Sequence, residues 1–173
     1  DPAGNQITGF YSGAAASTQR LLPSQIDEID TITLAMLAPE DAEIMLRQAR
    51  NLSELTVPII FDPGQGIEGF SQQDIRELLQ LSRLVMVNSH EYDILLTNAG
   101  LSHPEMLEIM GLVIVTRGAN GVDLYQKAES LHVDAVTTRE IIDPTGCGDA
   151  FRAGFICGLS ESFGIRESAQ MGC

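Results

Sequence analysis

Gly146-Cys147-Gly148-Asp149 sets two glycines, one residue apart, directly before a carboxylate. A β-branched pair, Ile141-Ile142, leads in through Asp143-Pro144-Thr145, and an apolar helical stretch follows. Glycines at that junction let the backbone turn sharply and let a ligand approach without interference from a Cβ. The first turn of a helix carries N–H groups without intrahelical partners and the positive end of the macrodipole, so the junction can form an anion-binding cup. A carboxylate at the lip of such a cup repels a phosphate. Its chemical use there is as a general base that takes a proton from a hydroxyl while the cup holds a transferring phosphoryl group. The plainer reading is a tight strand-to-helix turn with a favourable first-turn acid, and the motif alone leaves both open.

Two further constellations have the same form, a strand followed by polar residues. Asn88-Ser89-His90-Glu91 follows the apolar run Leu84-Val85-Met86-Val87. Asn88 can cap a helix, and Glu91, three residues on, can complete a capping box. The same amide and carboxylate are hard oxygen ligands suited to Mg²⁺, directly or through water. His90 falls on a different side of that helix and reads as a surface histidine. Thr116-Arg117-Gly118-Ala119-Asn120-Gly121 follows the most strand-like run in the chain, residues 111–116, and its Asn-Gly marks a hairpin into residues 122–125.

The elements that must position these residues alternate along the chain. Strands are predicted over 6–11, 31–38, 58–61, 84–87, 111–116, 122–125, 131–136 and 140–142. Between them, residues 14–26 read as a weakly helical connection. One helix should start at Pro39-Glu40-Asp41, with proline first and Ile44, Leu46 and Ala49 on its buried face. Another runs from Ser71 to about Leu81 with a Ser71/Asp74 box, and a third starts at Asn88. The helix after Asp149 is apolar on nearly all sides, which predicts burial, with Gly154 and Gly158 allowing close packing on the sheet. A last amphipathic helix begins at Ile165. Asp62-Pro63-Gly64-Gln65-Gly66 leaves the carboxyl end of a strand, where open α/β sheets place ligands. The alternation predicts one α/β domain over 1–173, three-layered, with a mainly parallel sheet and helices on both faces.

Composition narrows the function classes. The 24 acidic and 10 basic residues give a formal net charge of −14, which argues against nucleic-acid binding. A nucleotide is still compatible, because backbone N–H groups can hold phosphate locally. No apolar run is long enough to span a membrane and no export signal is visible. Cys147, Cys157 and Cys173 have no metal-type spacing, and their odd number favours reduced thiols in a cytoplasm.

Asp143-Pro144-Thr145-Gly146-Cys147-Gly148-Asp149 resembles the C-terminal signature of the PfkB/ribokinase family of sugar and nucleoside kinases. That signature usually reads Asp-Thr-x-Gly-Ala-Gly-Asp, so Pro144 and Cys147 are departures. Residues 143–154 are similar to a bacterial adenosine-kinase-like branch. Asn88-x-x-Glu91 and Thr116-x-Gly118-x-x-Gly121 match two other family motifs, in the family's order. The resemblance implies a ribokinase-like fold with ATP as phosphoryl donor and Asp149 as catalytic base. It implies an anion cup from Gly146, Cys147 and Gly148, and Mg²⁺ near Asn88 and Glu91. Thr116, Arg117, Gly118, Gly121 and Thr145 would contact the nucleotide. Pro144 removes a hydroxyl and an N–H from a loop that in relatives can serve a monovalent cation. The implied acceptor is adenosine, supported also by Asn5-Gln6, Phe10 and Asp62-Pro63-Gly64-Gln65, with ribose or fructose as the alternative and a non-catalytic nucleotide-binding module as the second. Residues 1–13 would be a strand of a small β-lid, through which a homodimer can form. A family member would begin before Asp1 and continue past Cys173, so the chain is expected to be partial.

Overall fold

The computed structural model describes residues 22–137 and 145–173. The expected strands at 6–11 and 140–142, the lid, Asp143 and Pro144 lie outside them. Six strands form one sheet: β1 (Ala35–Leu37), β2 (Ile59–Phe61), β3 (Leu84–Asn88), β4 (Leu112–Thr116), β5 (Val122–Gln126) and β6 (Glu129–Val133), ordered spatially as in sequence. The first four are parallel, and β5 and β6 turn back antiparallel. Successive parallel crossovers are right-handed, so a strand order that never reverses keeps the connecting helices on one face. Those helices are α1 (Ala42–Glu54), α2 (Gln72–Leu81), α3 (Ser89–Ala99) and α4 (His103–Ile109).

Strand alternation feeds both sides of the sheet. Phe61, Val85, Val87, Val113 and Val115 pack with Leu52, Leu78, Leu95 and Met106 of the helices on one side. Ile60, Met86, Ile114 and Leu124 point the other way, onto Phe151 and Phe155 of α5 (Cys147–Ser160) and Ala169 of α6 (Ile165–Gly172). The three-layer, mainly parallel architecture expected from the alternation is therefore present. Among the described residues, no helix is long and apolar enough to cross a membrane.

Local chemistry explains where the elements differ from expectation. The strand expected over 31–38 is only Ala35–Leu37, because β2 offers three residues to pair with and Glu28 turns left-handed into a 3₁₀ turn at Ile29–Thr31. Pro39 lies outside α1, whose N-cap is Asp41. The short α4 is an addition, started by a Ser102/Glu105 capping box with Pro104 in its first turn. The largest correction concerns α5. Phe151, Phe155 and Gly158 are buried, whereas Ala153 and Cys157 are exposed. Its glycines pack on α6 rather than on the sheet: a Cβ on Gly154 would lie 2.6 Å from the Met171 carbonyl oxygen, and one on Gly158 would lie 2.7 Å from the Ser168 Cα.

That contact gives a stability prediction. Alanine is the better helix former by about 1 kcal/mol, yet at position 158 its methyl meets backbone that cannot rotate away. Gly158→Ala should therefore lose about 1–3 kcal/mol, as overpacked sites do, read from the midpoint of urea unfolding. A stabilised variant would mean that α6 moves aside freely.

Candidate active site

The carboxyl ends of the parallel strands bring the sequence motifs together. Asn88 closes β3 and Thr116 closes β4, and the two are register partners. Asn88 caps α3: its Oδ1 accepts from the Glu91 N–H at 2.9 Å, and Glu91 Oε2 accepts from the Asn88 N–H at 2.8 Å. The two strand ends are also joined by side chains, since Ser89 Oγ donates to the Thr116 carbonyl and Thr116 Oγ1 donates to the Val87 carbonyl, each at 3.4 Å. His90 is exposed, as expected. Glu91 is buried, and that burial pushes its carboxyl above the ordinary 4.5; the Asn88 N–H pulls against the rise and the charge of Asp62 adds to it.

Beyond Thr116 the chain makes a 3₁₀ turn, Gly118–Asn120, closed by a hydrogen bond from the Arg117 N–H to the Gly121 carbonyl at 2.8 Å. Gly121 has φ +83° and lies against the backbone of Val133 to Ala135, where a Cβ would collide. The Arg117 guanidinium is engaged by the Asp123 carboxylate, by the Tyr125 hydroxyl at 3.2 Å and by Ser89 Oγ at 3.3 Å. His132 Nδ1 lies 2.6 Å from the other Asp123 oxygen, and this hydrogen bond raises the His132 pKa. Behind the turn, Tyr92 OH meets His103 Nδ1 at 2.6 Å, and the His103 ring stands edge-on to Tyr125.

The third motif opens α5. Gly146 is its N-cap, left-handed at φ +82°, and its carbonyl accepts from the Ala150 N–H at 2.9 Å. Among the described residues, a Cβ built on Gly146 or Gly118 would meet nothing within 4 Å. Cys147, Gly148 and Asp149 fill the first turn, whose N–H groups have no partner within the helix. Thr145, just ahead, is exposed. The Asp149 side chain is 90% exposed, with its Oδ1 3.8 Å from Arg152 Nη1.

Sequence reasoning marked Asp62 only as part of a strand-end loop on the ligand side, and it gave neither Arg152 nor the pairing of the two a role. Arg152 Nη2 donates to Asp62 Oδ1 at 3.0 Å, and Nε lies 2.5 Å from Oδ2. Asp62 is buried just past β2, and burial pushes its carboxyl up while Arg152 and the Gly64 N–H pull it back. The available signal was an acid at the carboxyl end of a strand; its partner, 90 positions away, leaves no local trace.

Among the described residues, no group of three or more His, Cys, Asp or Glu is placed to hold a metal. Asn88 Oδ1 and Glu91 Oε2 are spent on the cap. The donor set fits a hydrated Mg²⁺, which keeps several waters and takes phosphate oxygens, better than a protein cage.

The chain is similar to known kinases. The pfkB family carbohydrate kinase model matches residues 1–173. A nucleoside kinase of Methanocaldococcus jannaschii is 27% identical over 99% of this chain and 55% of its own length. A nucleoside kinase of Methanothermobacter thermautotrophicus is 31% identical over 88% of this chain and 48% of its own. The nucleoside kinase of Burkholderia thailandensis, solved in complex with ADP-inosine, superposes with a TM-score of 0.80 at 32% identity, over 84% of this chain and 46% of that one. The chain thus spans about half the length of these relatives.

Glu91 yields a pH prediction. A carboxyl whose folded pKa is raised contributes its full stability when protonated and loses it as pH rises through the folded value. Glu91→Gln keeps an acceptor for the Asn88 N–H and removes the titration. The stability of Glu91→Gln relative to the parent should therefore rise between pH 4 and pH 7, measured by urea unfolding at both. A difference that is flat or falls with pH would contradict the burial account.

Proposed function

The chain belongs to the pfkB family of carbohydrate kinases, and from that premise we propose that the protein transfers the γ-phosphoryl group of ATP to a hydroxyl of a nucleoside. The observation that carries this reading is the exposed Asp149 carboxylate in the first turn of α5, directly after the left-handed N-cap Gly146. Asp149 takes the proton of the acceptor hydroxyl. The N–H groups of Gly146, Cys147 and Gly148 stabilise the charge that develops on the transferring group, which passes in line between the two oxygens. Thr116, Gly118 and Gly121 form the turn on which the nucleotide lies, with Arg117 and Thr145 at its margins. Mg²⁺, held through water near Asn88 and Glu91, would neutralise phosphate charge when bound.

Adenosine is the acceptor we propose first, on the similarity of residues 143–154 to adenosine-kinase-like sequences. The inosine in the B. thailandensis complex supports a purine nucleoside more broadly. Free Cys147, Cys157 and Cys173 fit a reducing cytoplasm.

The test is phosphoryl transfer from Mg·ATP to adenosine, inosine, cytidine, ribose and fructose, using the longest reading frame that encodes these residues. Transfer to a nucleoside is expected. Asp149→Asn should lower kcat by about 10²–10⁴-fold, the usual contribution of a general base, with ATP affinity unchanged or tighter. Transfer to a sugar alone would keep the base and overturn the acceptor. ATP binding without any transfer would favour a non-catalytic module.

A further inference from the structure

Asp149, the proposed base, is held by little of its own. Its carboxylate is 90% exposed, and among the described residues the cation facing it is Arg152, one turn on along α5. Arg152 is the opposite case. Its side chain is 14% exposed and pairs with Asp62, itself 3% exposed. Nη2 donates to Asp62 Oδ1 at 3.0 Å, and Nε lies 2.5 Å from Oδ2 without hydrogen-bond geometry, while Nη1 lies 3.8 Å from Asp149 Oδ1.

The surroundings keep the guanidinium in place. The guanidinium lies over Gly148, where a Cβ would be 2.6 Å from Arg152 Nη1. Asp62 Oδ1 also accepts the Gly64 N–H at 3.2 Å, and Gly64, at φ +54°, leaves no room for a Cβ against the Pro39 ring. A line of contacts therefore runs from the β1–α1 loop through Asp62 and Arg152 to Asp149.

We propose that Arg152, clamped by Asp62, is the positioning residue of the site: it orients the Asp149 carboxylate toward the acceptor hydroxyl and sets a fixed cation beside the Gly146–Gly148 cup. The inference rests on the phosphotransfer reading above. The rival account is that the pair merely ties β2 to α5.

Removing one partner strands a buried charge, while removing both leaves the fold nearly intact. The informative variant is thus the neutral pair Asp62→Asn with Arg152→Met, in the longest reading frame, assayed for melting temperature, kcat and KM. Expected is a near-parental melting temperature with kcat down about 10²-fold, the scale of a misplaced catalytic group, and KM for both substrates unchanged. Arg152→Lys keeps the charge and lacks the fork, so its kcat should fall between. Parental kcat in the neutral pair would overturn the proposal in favour of a structural tie. A raised KM for ATP at unchanged kcat would overturn it in favour of a nucleotide contact. If the neutral pair does not fold, Arg152→Lys decides: reduced kcat at unchanged KM supports the proposal, and parental kinetics overturn it. If the parent transfers phosphate to no acceptor, the phosphotransfer reading has failed and this inference falls with it.

Discussion

The in-register parallel pairing of β3 with β4 underlies the geometry of the site. Asn88 and Thr116 are partners in that ladder, so two motifs 28 positions apart in sequence begin their polar turns side by side, about 4.8 Å apart as adjacent strands must be. A parallel sheet makes this arrangement natural, because every strand ends at the same edge and every connection must cross back over a face. A slip of one residue would put Asn88 opposite the wrong position and turn Val87 from the face covered by α1 to α4 to the face covered by α5 and α6. The Ser89 and Thr116 hydroxyls each reach across to the neighbouring strand's backbone, which adds polar links to a register already fixed by the core.

That edge is acidic in a chain that is already acidic. Asp62, Glu91 and Asp149 converge there, and the two arginines beside them are each engaged by an aspartate, Arg152 by Asp62 and Arg117 by Asp123. In the proposed reading, attraction for a phosphate comes from the N–H groups and dipole at the start of α5 more than from side-chain cations. This reconciles the formal charge of −14 with a nucleotide site. A local array of fixed N–H dipoles does not depend on the net charge, which acts through solvent and is screened within about 10 Å at ordinary salt.

Much of this could be read locally. The Ser71/Asp74 and Asn88/Glu91 boxes lie within one helical turn, so sequence spacing is spatial spacing, and both formed. The hairpin after Thr116 was marked by Asn120-Gly121. What failed was non-local. The apolar composition of α5 predicted burial all round, yet burial depends on which neighbours arrive, and the described neighbours cover one flank. Gly154 and Gly158 did signal close approach, but spacing cannot say to which element, and the answer was α6. The Asp62–Arg152 pair joins residues 90 positions apart, and no periodicity encodes such a partner.

The glycines of the three motifs divide by what surrounds them. Gly121 is packed against the β6 backbone, so its lack of a side chain is a requirement of the fold, whatever the turn may bind. Gly118 and Gly146 also have positive φ, but a Cβ on either would meet none of the described residues within 4 Å. Backbone conformation alone explains why glycine is favoured at those two positions. Bare backbone beside an uncovered first helical turn is the condition for N–H groups to reach an anion directly. The exposed Asp149 carboxylate stands in that first turn, where it would be an electrostatic liability to an anion cup with no proton to remove.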